Sequence, residues 1–150
     1  MYAYDRLFLL GSMTLPTDEV DNGERYHAWR RRPFNQSQRG FPLVVVRVSS
    51  AQEVSACLRF LQSLPSDLRQ SLPVNVICGG HSSKCMMDGA FVIDLFLLKT
   101  VSLQREAMTV SVEGGAYLEE IDKVMQPFNV AVPVGTYPQT GVAGLALGGG

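Results

Sequence analysis

From Pro42 onward the polar and apolar positions fall into short periodic blocks. Leu43-Val44-Val45-Val46-Arg47-Val48 is a β-branched run of strand length, and such residues favour the pleated backbone. It is followed by Ser50-Ala51-Gln52-Glu53, a capping box in which the serine hydroxyl and the glutamate carboxylate each accept from a backbone N–H at a helix start. Val54, Cys57, Leu58 and Leu61 then recur at i, i+3, i+4 and i+7. This spacing predicts one apolar stripe on a helix ending near Pro65 and places Cys57 in the core. Val74-Asn75-Val76-Ile77 predicts a second strand, Phe91 to Leu95 a third and Met108 to Glu113 a fourth, closed by Gly114-Gly115. Tyr117 to Met125 predicts a helix with Leu118, Ile121 and Met125 on one side. Glu119, Glu120 and Asp122 lie in its early turns, where the helix dipole favours negative charge. The succession strand, helix, strand, loop, strands, helix indicates a mixed α/β or α+β domain.

Residues 1–40 lack such periodicity and are rich in turn formers and charges, so they are expected to form a lead-in with one short helix and no legible function. At the other end, Val134 to Gly150 holds six of the fourteen glycines and closes on Gly148-Gly149-Gly150. A triple glycine is neither a helix stop nor a strand end, so the expectation is a domain over residues 41–150 that is incomplete at its C-terminus.

Composition narrows the function classes. With 150 residues, 46% hydrophobic and 18% charged, the chain can bury a core and is one domain or part of one. A net charge of -1 argues against electrostatic capture of nucleic acid or anionic lipid. The local cluster Arg30-Arg31-Arg32 is expected to be a solvated face before Pro33. No run approaches the ~20 apolar residues of a membrane span. Leu7 to Leu10, beside Asp5 and Arg6, is too short for a secretory signal. Cys57, Cys78 and Cys85 are too few and odd in number for a disulfide framework, which fits a reducing, cytoplasmic setting.

Two glycine-rich loops carry the candidate chemistry. Glycine lets the main chain approach a ligand without a Cβ in the way. The N–H groups around Gly79, Gly80, His81 and Ser82 could therefore form an anion-binding concavity, with the Ser82 and Ser83 hydroxyls as further donors. A second set, from Gly141 to Gly144, could close on the same ligand, which suits a long dinucleotide. Neither G-x-x-x-x-G-K-[S/T] nor a G-x-G-x-x-G between strand and helix is present. On composition alone, ligand binding and tight turns stand about even. Cys78, His81 and Cys85 also fit C-x2-H-x3-C, but a fourth ligand is lacking nearby, so no metal is expected. His27, far away in an unpatterned region, is expected to be a surface histidine.

Taken in order, Leu43 to Leu61, Cys78-Gly79-Gly80-His81-Ser82, Val92-Ile93-Asp94-Leu95, Val112-Glu113-Gly114-Gly115-Ala116 and Pro133 to Gly150 resemble the vanillyl-alcohol-oxidase flavoproteins, especially berberine-bridge-enzyme-like FAD-linked oxidases. The resemblance implies an α+β, PCMH-type FAD-binding domain of two α/β subdomains with FAD between them, here truncated before completion. It implies that Cys78, Gly79, Gly80, His81, Ser82 and Ser83 wrap the pyrophosphate and that His81 is joined to the flavin 8α-methyl carbon. It also implies that Gly135, Thr140, Gly141, Val142 and Gly144 lie along the other side of the cofactor. Two departures stand out. Ile77-Cys78 replaces the family's usual Arg-Ser or Arg-Gly, removing a phosphate-directed cation, and Tyr137 replaces the cysteine that forms a second flavin link before Pro138. Asp94 and Glu113 are expected to be structural, and Trp29 to pack on the domain's outer helix. The implied function is oxidation of a small organic substrate by hydride transfer to FAD, with dioxygen or another acceptor taking the electrons. The alternative is a flavin-binding or degenerate module without activity. Groups acting on substrate belong, by this resemblance, to a later domain.

Overall fold

The computed structural model describes residues 13–14 and 20–149, with side chains from residue 23. Its first unit is a four-stranded sheet in the order β1-β2-β4-β3, formed by β1 (Met13–Thr14), β2 (Val44–Arg47), β3 (Val74–Ile77) and β4 (Phe91–Asp94). β2 and β3 both run parallel to β4, in register Val44 and Val74 with Phe91, while β1 is antiparallel to β2. Parallel pairing requires crossovers. Helices α2 (Ala51–Ser63) and α3 (Ser66–Ser71) supply the one between β2 and β3.

The run of valines follows from burial on both sheet faces. Val44, Val46 and Val48 join Phe91 and Ile93 beneath α2, against Cys57 and Leu61. The alternate residues Val45, Val92 and Ile77 face the other way, toward Tyr26 of helix α1 (Val20–Arg30), Cys85 and Met86. The single helix expected in the lead-in is thus part of the core.

Helix α2 starts where the capping pattern puts it, with one adjustment. Ser50 Oγ accepts from Glu53 N at 3.2 Å, but the Glu53 carboxylate accepts from Ser49 N at 2.6 Å, one residue earlier than the standard box. Cys57 is fully buried. Leu58 is not on the buried stripe: it is 48% exposed, and Phe60 and Leu64 pack inward instead, because the stripe is centred between Cys57 and Leu61. The expected strands end slightly inside their limits, and α3 was not anticipated.

Residues after the first sheet form a second unit. β5 (Val101–Gln104) and β6 (Thr109–Val112) make an antiparallel hairpin, of which only β6 was anticipated. Helix α4 (Leu118–Met125) buries Leu118, Ile121 and Met125 against Val101, Leu103, Val110 and Val112. The stripe read from the sequence is the one observed. α5 (Val142–Leu147) begins at Gly141, in a stretch expected to be loop, and Val142 and Leu145 complete this core. The result is the mixed α+β architecture expected. No helix among the described residues is long and apolar enough to cross a membrane.

Candidate functional site

The site lies at the C-terminal ends of β2, β3 and β4, the usual location of ligands in open parallel sheets. Asp94, the last residue of β4, is 1% exposed and is held by two guanidinium groups. Arg47, ending β2, donates from Nε to Oδ2 at 2.8 Å, and Arg32, just past α1, donates to Oδ1. Phe96 N also donates to Oδ1, at 3.0 Å. The structural role expected for Asp94 is the one seen. The expectation of a solvated arginine face fails at Arg32, whose side chain is 14% exposed: charge periodicity could not reveal a buried acid 62 residues away. Burial opposes ionisation of Arg32, but the charge and hydrogen bond of Asp94 outweigh it and raise its pKa. Arg47 is lowered, by burial first, with the neighbouring Arg32 charge adding to it against the opposing pull of Asp94. Trp29 packs on the sheet face shared with Tyr26, and the Arg47 guanidinium lies 4.0 Å from its ring centre.

The loop after β3 rests on this cluster. Arg32 Nη2 donates to Cys78 O at 2.6 Å, and Phe34 N donates to Gly80 O at 2.9 Å. Gly80 has φ +76°, a left-handed conformation that favours glycine. Cys78 Sγ donates to Gly114 O at 2.7 Å, and Cys85 Sγ donates to Ser82 O at 3.0 Å. Both thiols are buried, and the Cys85 thiol is pushed up, chiefly by that burial. The described residues contain no group of three His, Cys, Asp or Glu placed to hold a metal, so Cys78, His81 and Cys85 do not converge.

The second loop is fixed by the start of α4. Leu118 N donates to Thr140 O at 3.1 Å, and Val142 N donates to Ala116 O at 2.9 Å. Glu113 behaves as expected and accepts from Thr100 N at 2.8 Å; this hydrogen bond lowers its pKa. The two loops meet at Gly79 and Gly141. A Cβ on Gly79 would lie 2.5 Å from Gly141 N, and one on Gly141 would lie 2.3 Å from Gly79 N, so only glycine fits on either side. Beside this seam opens a groove of about 390 Å³, lined by Cys78 to Ser82, Thr140, Gly141 and Gly144, with Val76 and Leu147 as apolar walls. Ser83 lies exposed in the adjoining turn. Gly135 and Val142 instead face the second core, against Leu118 and Leu145.

His81 is exposed at the groove mouth. Its ring stacks on Phe34 at 5.6 Å and meets Tyr137 edge-on at 5.8 Å, and Nε2 lies 3.0 Å from Gln139 O. Sequence reasoning missed Arg32 and Phe34, for which the only signal was an arginine-rich run before a proline.

The chemistry of this donor set suits a phosphate-bearing cofactor. Among the described residues, the amides of Gly79, Gly80, His81, Ser82 and Ser83 donate to no protein acceptor, and successive free amides form anion-binding concavities. The groove volume is within the usual range for ligand sites. Fold and groove are those of a domain able to hold a phosphate-bearing cofactor. Residues 42–150 match the family described as "FAD binding domain", and the chain belongs to it. It is 32% identical over 147 residues to an FAD-linked oxidoreductase of Aspergillus terreus, covering 97% of this chain and 28% of that protein. With (R)-6-hydroxynicotine oxidase of Paenarthrobacter nicotinovorans it shares 28% identity over 111 residues, 73% of this chain and 23% of that one. The crystal structure of aclacinomycin oxidoreductase superposes with a TM-score of 0.73 at 28% identity, covering 93% of this chain and 27% of that one. The chain thus spans less than a third of each of these proteins.

Proposed function

We propose that the groove between residues 78–83 and 139–144 holds the pyrophosphate side of FAD. The whole protein, on this reading, oxidises a small organic substrate and passes the electrons to dioxygen or another acceptor. The carrying observation is the Gly79–Gly141 seam, where two main chains meet beside a groove bordered by the amides of residues 79–83, which find no acceptor among the described residues. When bound, the flavin supplies the hydride acceptor, and the protein supplies orientation and electrostatics. The amides of residues 79–83 and the hydroxyls of Ser82 and Ser83 would hold the phosphates, with Val76 and Leu147 as apolar surface beside them.

His81 is proposed as the covalent attachment point. Its Nε2 lies 3.0 Å from the Gln139 carbonyl oxygen, which can only accept a hydrogen bond, so Nδ1 is the ring nitrogen that would be left to hold the flavin at its 8α-methyl carbon. Phe34 and Tyr137 hold the ring plane.

Acid denaturation of the intact protein, followed by a denaturing gel, tests this reading. Flavin fluorescence that travels with the polypeptide, and is lost in His81→Ala, is the expected result. Flavin released on denaturation would refute the covalent link alone. An intact protein that never binds flavin would refute the whole proposal.

A further inference from the structure

The glycine loop is oriented by a segment that precedes the matched FAD-binding region. Residues 32–34 run along its back. Arg32 donates to Cys78 O and Phe34 N to Gly80 O, and the Arg32 carbonyl lies where a Cβ on Gly80 would come within 3.0 Å of it. No peptide bond in the described chain is cis, and in a trans peptide the C=O and the following N–H point in opposite directions. Holding the carbonyls of Cys78 and Gly80 toward residues 32–34 therefore turns the amides of Gly79 and His81 the other way, toward the second loop and the groove. Two hydrogen bonds thus set the direction of alternate donors in the anion-binding loop.

Ile77, just ahead of the loop, is fully buried among Tyr26, Val45 and Val92, so the start of the loop is anchored in the core. Arg32 brings a guanidinium to the carbonyl of the next residue. It is fixed there by Asp94 and the ring of Phe96, 4.6 Å from the guanidinium carbon, with Tyr117 Oη 3.5 Å from Nη2. Arg47 occupies the other carboxylate oxygen of Asp94, so Arg32 has a defined seat and cannot slide to a second one.

We infer that Arg32 is the positioning residue of the pyrophosphate-binding loop, acting through Cys78 O from the side away from the groove. The inference rests on the FAD reading above. It predicts selective loss: contacts to phosphates weaken when Arg32 is changed, and contacts to the isoalloxazine and ribityl portion do not.

The test uses intact protein carrying His81→Ala, so that binding is reversible, with FAD, ADP and riboflavin titrated separately by calorimetry or flavin fluorescence. Arg32→Met should weaken FAD and ADP by roughly 10- to 100-fold, the range for one hydrogen bond to a charged group, and leave riboflavin affinity unchanged. Arg32→Lys keeps the charge beside Asp94 but cannot bridge to Cys78 O as well. It should show a smaller loss of the same selective kind, and it decides the matter if Arg32→Met does not fold. FAD binding by the parent protein, with FAD and riboflavin falling equally in the variants or neither falling, overturns the assignment of Arg32 and leaves the FAD reading intact. A parent protein that binds neither FAD nor ADP overturns both.

Discussion

The contact between the two glycine loops makes a quantitative prediction for Gly141→Ala. Gly141 has φ -75° and ψ 128°, a conformation open to any residue, so the cost of alanine is purely steric. Its Cβ would stand 2.3 Å from Gly79 N, 2.4 Å from Cys78 Sγ and 2.8 Å from Gly79 Cα. Two of these atoms are backbone, and the thiol is tied to Gly114 O, so no side chain can rotate aside. The loops must part by about 1 Å to restore ordinary contact distances. Overpacking of this severity costs about 3 kcal/mol, the upper end of the usual range, and lowers the Tm. Gly144→Ala is the control. Gly144 sits inside α5 with nothing within 4 Å of a Cβ, and alanine there should stabilise by about 0.5–1 kcal/mol through helix propensity. Thermal unfolding of the intact protein, with FAD titration alongside, measures both. Equal stability and equal FAD affinity in Gly141→Ala and the wild type would refute the seam as a close-packed part of the site.

Two further predictions concern the first core. Burial, with a smaller contribution from the charge of Glu53, pushes the Cys57 thiol up to about 11 from an ordinary value near 9. A raised value means the folded state holds the proton more tightly, so this contribution is complete below pH 9 and is lost as the pH rises toward 11. The loss, roughly 3 kcal/mol, should appear in urea unfolding between pH 8 and 11 and be absent from Cys57→Ala; an unchanged slope in that variant would count against it. Leu61→Ala should cost about 2–4 kcal/mol, as for a buried leucine, and Leu58→Ala no more than about 0.5 kcal/mol, as at an exposed position. Comparable losses at the two sites would restore the sequence-derived stripe.

Much of the fold was legible because its signals are local. The β-branched runs at residues 44–47 and 91–94, the cap at Ser50 and the stripe of Leu118, Ile121 and Met125 each need only a few neighbours to be recognised. β5 escaped although Val101-Ser102-Leu103-Gln104 alternates strictly, because the pattern lasts only four residues, is half-buried on one face, and is completed by pairing with β6. α5 escaped because its glycines read as loop, whereas its first turn is organised by bonds from residues 142 and 143 to Ala116 and Gly114. Leu58 was misplaced because i, i+3, i+4, i+7 spacing defines an arc of the helix without saying where its centre points.

The site divides along the same line. That the two glycine loops could approach a ligand followed from residue type, since positive φ at Gly80 favours glycine and the mutual contact at Gly79 and Gly141 leaves no room for a Cβ. The direction in which their amides point did not, because it depends on partners far away in sequence. Arg32 is 46 residues from Cys78 and 62 from Asp94, in a segment without periodicity. A charge read by its neighbours alone defaults to solvent. The buried carboxylate at the end of β4 reverses that default, because Asp94 needs a compensating charge and the end of α1 delivers one. An ion pair at the end of β4 thereby becomes the support for the loop proposed to bind the phosphates, and the lead-in becomes part of that proposed site.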